Sequence, residues 1–312
     1  MTMSSGPTMV EINGNRLNVL VLGDDAGTCG GETRGGERRG GERRGGDVPG
    51  KPVMIVHHGA PGLGSMAEPR AAFAPFADEY RVVVFDARGS GASEGNEPFT
   101  HEQWAADVDG LRQWIGAERI VMAGGSYGGF IAMEYAIRYP DRVAALVLRD
   151  TAADNANQEL ALRNALASAR VEIDRVKLDR IMSGTVRDDD DLRDCWAEIL
   201  PLYDHDLDWA KVRERVADTP YRYATHNFAF SVNQPNYDIK PLLPRISCPT
   251  LVTVGRHDWI TPVECSETIA GLIPGAKLVV FEHSGHSPQL EEAERFQQVV
   301  REFLAGAAAP QA

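Results

Sequence analysis

From residue 51 onward, short apolar runs alternate with longer amphipathic ones. KPVMIVHHG, RVVVFD, RIVMAG, VAALVLRD, PTLVTVG and KLVVFE are brief and rich in Val and Ile. Residues 101–115, 127–139, 262–272 and 289–305 carry helical patterns instead. A strand that is apolar on both faces must be covered on both, and helices crossing over a parallel sheet do that. The alternation therefore predicts an α/β protein with a doubly wound, mostly parallel sheet. Ahead of it, MVEINGNRLNVLVL (residues 9–22) places two apolar runs around Asn13-Gly14-Asn15. That is the pattern of a β-hairpin closed by a tight turn.

One interval breaks the rhythm. Residues 152–236 hold no convincing strand but several helical stretches, among them NQELALRNALASARVEIDRV and DLRDCWAEIL. They read as a helical cap inserted between two core strands. The expected organisation is a first core part over 1–151, a cap over 152–236, a second core part over 237–305 and a disordered tail over 306–312. Ahead of the alternation, after the hairpin, stands GGETR-GGERR-GGERR over residues 30–44, three near-copies of one five-residue unit. With almost no apolar side chains it cannot offset its ordering entropy, so 30–46 is expected to be a flexible loop.

Charge narrows the partners. The formal net charge is −13, which disfavours nucleic acid and anionic lipid. No run approaches 18 apolar residues and the N-terminus has no apolar leader, so a cytoplasmic protein without membrane contact is expected. Cys29, Cys195, Cys248 and Cys265 are too scattered for a zinc site or a disulfide framework. No phosphate-binding glycine motif appears, so no cofactor and no metal are implied. The run Asp188–Asp191 lacks the spacing of a calcium loop and reads as a solvated acidic loop.

The chemistry centres on Gly124-Gly125-Ser126-Tyr127-Gly128-Gly129, between the strand RIVMA and the helix FIAMEYAIRY. G-x-S-x-G at a strand-to-helix junction is a nucleophile elbow, a sharp turn that lifts the serine hydroxyl above the sheet. Such a hydroxyl needs a base oriented by an acid. Asp258 follows PTLVTVG and His286 follows KLVVFE, which puts both beyond strand C-termini, where open α/β sheets bind ligands. Asp150 is a competing acid, and His283 a competing base; His257 reads as structural. The oxyanion hole requires two backbone amides. Tyr127, directly after the serine, supplies one, and Ala60 in the His58-Gly59-Ala60-Pro61-Gly62 loop is expected to supply the other. Asp86-Ala87-Arg88-Gly89-Ser90-Gly91-Ala92-Ser93 reads as a structural turn at the edge of the site.

With HHGAPG, DARGSGAS and GGSYGG in order, the chain resembles the α/β-hydrolases from about residue 51 to 305, and within them the prolyl aminopeptidases (proline iminopeptidases). The resemblance implies a serine hydrolase cleaving a small amide or ester through an acyl-enzyme. It departs from the pattern at Ala60, where the family has glycine. Those peptidases also hold a free amine with acids, one in the cap and one after the catalytic aspartate. Here Trp259 follows Asp258, and the cap segment offers Asn227, Phe228 and Phe230. These four are the expected substrate contacts, in an apolar or aromatic pocket for a small molecule or short peptide. An esterase or lactonase without amine recognition is the alternative. A carbon–carbon hydrolase or lyase using the same residues, and a non-catalytic ligand-binding homologue, stand further out. Nothing in the sequence speaks to oligomeric state.

Overall fold

The computed structural model describes residues 6–23 and 50–308. The Gly/Arg/Glu-rich repeats and Cys29 lie outside these residues. The core opens with β1 (Thr8–Ile12) and β2 (Asn15–Leu22), followed by β3 (Val53–His57), α1 (Ala67–Phe73) and β4 (Arg81–Phe85). Next come α2 (His101–Ile115), β5 (Ile120–Gly125), α3 (Tyr127–Arg138) and β6 (Val143–Arg149). Five helices then intervene: α4 (Asn157–Leu166), α5 (Arg175–Ser183), α6 (Asp189–Ile199), α7 (Trp209–Asp218) and α8 (Tyr223–Phe228). The chain closes with β7 (Thr250–Gly255), α9 (Val263–Leu272), β8 (Lys277–Phe281), α10 (Pro288–Glu291) and α11 (Ala293–Ala308).

The strands form one eight-stranded sheet in the order β1-β2-β4-β3-β5-β6-β7-β8. The first two pairings are antiparallel and the remaining five are parallel. At the hairpin, Asn13 and Gly14 both have positive φ (49° and 69°), the combination a two-residue turn demands. The central strands bury both faces because alternate residues point oppositely. Val53, Ile55, Val83, Phe85 and Met122 enter one cluster with Trp104 of α2 and Ile131 of α3. Met54, Val56, Val82, Val84 and Ala123 enter the other with Phe73 of α1 and Phe296, Val300 and Phe303 of α11. This double burial is why those strands read as unbroken apolar runs.

Three details differ from the sequence reading. The short helix α1 carries no pattern long enough to be noticed. The helical stretch at 289–305 breaks at Glu292 (φ −120°, ψ 50°), and its second part continues to Ala308. The tail expected from 306 therefore begins no earlier than 309, outside the described residues. Asp188–Asp191 is not a solvated loop. Asp188 caps α6 by accepting the Asp191 amide at 2.8 Å, and Asp191 is buried and ion-paired with Arg187 (2.8 Å) and Arg180 (3.2 Å). Carboxylates gather there because a helix N-terminus presents unpaired amides and the positive end of its dipole.

Between β6 and β7 the described elements are helical, with only an isolated bridge between Asp154 and Asp238. Their apolar faces form a third cluster, including Leu178, Ile181, Leu192, Trp196 and Ile199, which also takes in Leu63 and Trp259 from core loops. No helix among the described residues is long and apolar enough to cross a membrane.

Candidate active site

Neighbouring strands β3, β5, β6, β7 and β8 end at one edge of the sheet, and the loops beyond them carry Ala60, Ser126, Asp150, Asp258 and His286. Ser126 stands between β5 and α3 with φ 53° and ψ −127°, a strained setting for a residue with a side chain. Its amide donates to the Arg149 carbonyl (2.9 Å), and its own carbonyl accepts from the Gly129 amide (2.9 Å) and the Thr151 hydroxyl (2.8 Å). The turn closes only because its neighbours lack side chains. A Cβ on Gly128 would lie 2.5 Å from the carbonyl oxygens of His57 and His58, and one on Gly59 would lie 2.9 Å from Ser126 Cβ.

Tyr127 opens α3, so its amide is among the helix's free N-terminal donors. Ala60 also has positive φ (44°), where the resembled family uses glycine. Its loop is held by His58, whose Nδ1 donates to the Gly59 carbonyl (2.7 Å) while Nε2 accepts from the Ala87 amide (2.9 Å). Burial lowers the His58 pKa and keeps the ring neutral for that double role. Asp86 clamps the same region by accepting the amides of Met66 (2.7 Å) and Ala92 (2.9 Å).

Asp258 is buried and saturated with donors. Oδ1 accepts the amides of Ile260 (2.9 Å) and Thr261 (3.1 Å); Oδ2 accepts the Thr261 hydroxyl (2.8 Å) and His286 Nδ1 (2.8 Å). Burial alone would raise its pKa, but the charge and hydrogen bond of His286, with the Thr261 bonds, outweigh it and hold the carboxyl below its usual range. A carboxylate can only accept, so His286 Nδ1 is a donor, and in the neutral ring Nε2 is then the acceptor. That Nε2 is buried and has no hydrogen-bond partner.

Sequence reasoning missed the residues that shape the histidine loop. Glu291 accepts the Gly285 amide (2.7 Å) and Glu292 accepts the His283 amide (3.0 Å) and the Ser284 hydroxyl (2.7 Å). The helix break at Glu292 is what turns both carboxylates back onto this loop. His283 is exposed, and His257 is exposed and stacks on His205 at 4.0 Å. Neither faces the serine's cavity.

A narrow cavity of about 40 Å³ opens on Ser126 and Tyr127, lined also by Ala60, Phe130, Trp196 and Phe230. Its further lining includes Tyr203, whose ring meets the His286 ring edge-on at 5.2 Å. None of the lining residues is an aspartate, glutamate, lysine or arginine. Trp196 Nε1, Gln234 Oε1 and His226 Nδ1 are buried there without partners. The other three expected substrate contacts lie elsewhere. Asn227 binds the Val186 backbone from both sides, with Oδ1 accepting its amide (3.2 Å) and Nδ2 donating to its carbonyl (2.8 Å). Phe228 packs on Phe99 (6.0 Å), and Trp259 packs on Tyr203 (5.7 Å) in the third cluster. Only Phe230 of the four lines the cavity: Asn227, Phe228 and Phe230 share one helical stretch that aims just one or two side chains at a given point, and Trp259 lies apart in the loop after β7. A larger, open cleft of about 670 Å³ lies beside the Asp258–Trp259 loop, but Ser126 is not in its wall.

Residues 52–293 match the family model of the alpha/beta hydrolase fold, and the chain belongs to that family. It is 33% identical over 261 residues to the proline iminopeptidase PfmaB of Pestalotiopsis fici, covering 81% of this chain and 92% of that one. It is 28% identical over 271 residues to a 2-hydroxymuconate semialdehyde hydrolase of a Pseudomonas species, covering 83% and 88%. Among solved structures, the enol-lactonase of Burkholderia xenovorans superposes with a TM-score of 0.70 at 23% identity, covering 96% of this chain and all of that one, a likeness of fold.

Proposed function

We propose that this protein is a serine hydrolase that cleaves a small, uncharged ester or lactone through an acyl-enzyme. Ser126 is the nucleophile, His286 the base and Asp258 the acid that orients it. The observation that carries this reading is the state of His286. Its Nδ1 is spent on a charged, fully donated Asp258, and its Nε2 is left bare and buried at the sheet edge where Ser126 stands.

As Ser126 Oγ bonds to the substrate carbonyl carbon, its proton passes to His286 Nε2 and the carbonyl oxygen takes the negative charge. The amides of Tyr127 and Ala60 are the proposed donors to that oxyanion. The tetrahedral centre then expels the alkoxide, which takes the proton from Nε2. Water repeats the sequence on the acyl-serine: its oxygen bonds to the carbonyl carbon, one proton moves through Nε2 to Ser126, and the carboxylic acid leaves. Asp258 stabilises the imidazolium in both halves. Residues 152–236 serve in this reading as the cap that roofs the cavity and selects the acyl group.

The second reading, an iminopeptidase, is favoured by the 33% match to PfmaB. The uncharged lining weighs against it, since a substrate ammonium would be buried without a counter-charge. Turnover of p-nitrophenyl acetate and of L-proline p-nitroanilide separates the two. Ester hydrolysis that falls by about 10³-fold or more in kcat in Ser126→Ala is the expected result. Release from the proline anilide alone would overturn the ester reading; an unreactive wild type whose Ser126 fails to take a fluorophosphonate would leave a ligand-binding homologue.

A further inference from the structure

Asp150 is unused in the mechanism above, yet it lies at the centre of the site. One carboxyl oxygen of Asp150, one of Asp258 and one ring nitrogen of His286 all lie within 4.8 Å of one another. The placement follows from topology: Asp150 ends β6 and Asp258 follows β7, its immediate neighbour. Asp150 is completely buried. Its Oδ1 accepts the Gly255 amide at 2.9 Å, whereas Oδ2 has no hydrogen-bond partner. The nearest cation, Arg149, is 3.7 Å away and directs its other nitrogen to Glu68 at 2.9 Å. The backbone of Asp150 also has positive φ (46°), which glycine or asparagine would hold with less strain. Strain, burial and an oxygen with no hydrogen bond, only the Arg149 charge at 3.7 Å, fall on one residue, a combination that folded proteins keep at functional positions.

Taking His286 as the base, we infer that Asp150 is a positioning residue, a reserve acid that holds the His286 imidazolium whenever Asp258 cannot. Two carboxylates this close cannot both ionise cheaply in a buried site. Asp258, with four donors, keeps the charge. Burial first, and the Asp258 charge second, push Asp150 well above the usual carboxylate range, with Glu291 adding to that and Arg149 and the Gly255 amide opposing it. Removing the Asp258 charge lifts one of these restraints. Asp150 then gives up its proton to solvent in the resting variant, and as a carboxylate it holds the imidazolium formed when His286 takes the serine's proton.

The test is a double-variant cycle on the full chain, read with p-nitrophenyl acetate. Asp258→Ala is expected to lower kcat/KM by about 10–100-fold, less than the roughly 10⁴-fold typical of a triad without an effective acid. Asp150→Asn should then lower it at least about tenfold more in the Asp258→Ala background than in wild type. The acid limb of the pH profile should fall by about one further pH unit in the double variant, because the buried imidazole has lost both carboxyls. Asp150→Gly, which suits the left-handed backbone, supplies the same comparison should the asparagine variant fail to fold. An equal factor in both backgrounds, or an unmoved acid limb, overturns the inference and leaves Asp150 a structural residue. An inert, unlabelled wild type overturns the serine mechanism itself and the inference with it.

Discussion

At the level of single residues, hydrogen-bond donors decide which buried carboxyl keeps its charge. Asp150 and Asp258 are equally hidden, and the difference between them is donors: four hydrogen bonds reach Asp258 and one reaches Asp150. The consequence for stability has a definite sign. Asp150 stays protonated in the fold above its ordinary value of 3.8, while the unfolded chain releases that proton. Stability is therefore full below about pH 4 and is lost as pH rises towards the folded pKa. Asp150→Asn removes this loss, so the difference in Tm, variant minus wild type, should grow from pH 4 to pH 8. Thermal melts across that range check it, and a difference independent of pH would refute it.

At the level of elements, the turn preceding α2 is tied together by one buried ion pair. Arg88 lies in the loop after β4 and gives two hydrogen bonds to Asp107 of α2, at 2.8 and 2.9 Å. Its remaining donors reach the carbonyls of Asn96 (2.8 Å) and Asn13 (3.2 Å), which links the β1–β2 turn to the same point. Both side chains are about 2% exposed. Asp107→Ala leaves the guanidinium buried and uncompensated, with an expected loss of about 3–5 kcal/mol by urea unfolding. A loss below about 1 kcal/mol would mean that solvent reaches Arg88. The histidine loop follows similar logic, since Glu291 and Glu292 act through backbone amides that carry no sequence signature.

Across the whole molecule, four histidines lowered mainly by desolvation make the fold sensitive to acid, His58 among them. His57 at the end of β3, His101 at the start of α2 and His226 in α8 are depressed from 6.5 to about 3, 4 and 4, in each case mainly by burial. Each is neutral when folded and gains a proton when unfolded below pH 6.5. The stability they contribute is present above pH 6.5 and is lost as pH falls towards 4. Tm should drop steadily over that interval, and a flat profile between pH 6.5 and 5 would contradict it. The strands, the elbow around Ser126 and the loop positions of Asp258 and His286 were legible in the sequence, because two-sided burial and a tight turn leave local marks: apolar runs and glycines. Other features were decided only by tertiary structure. Among them are the donors shared between Asp150 and Asp258, the turning of Asn227 onto Val186, and the absence of charge around the cavity. Each depends on which distant backbone atoms arrive beside a side chain, and desolvation and hydrogen bonding act through that proximity rather than through order along the chain.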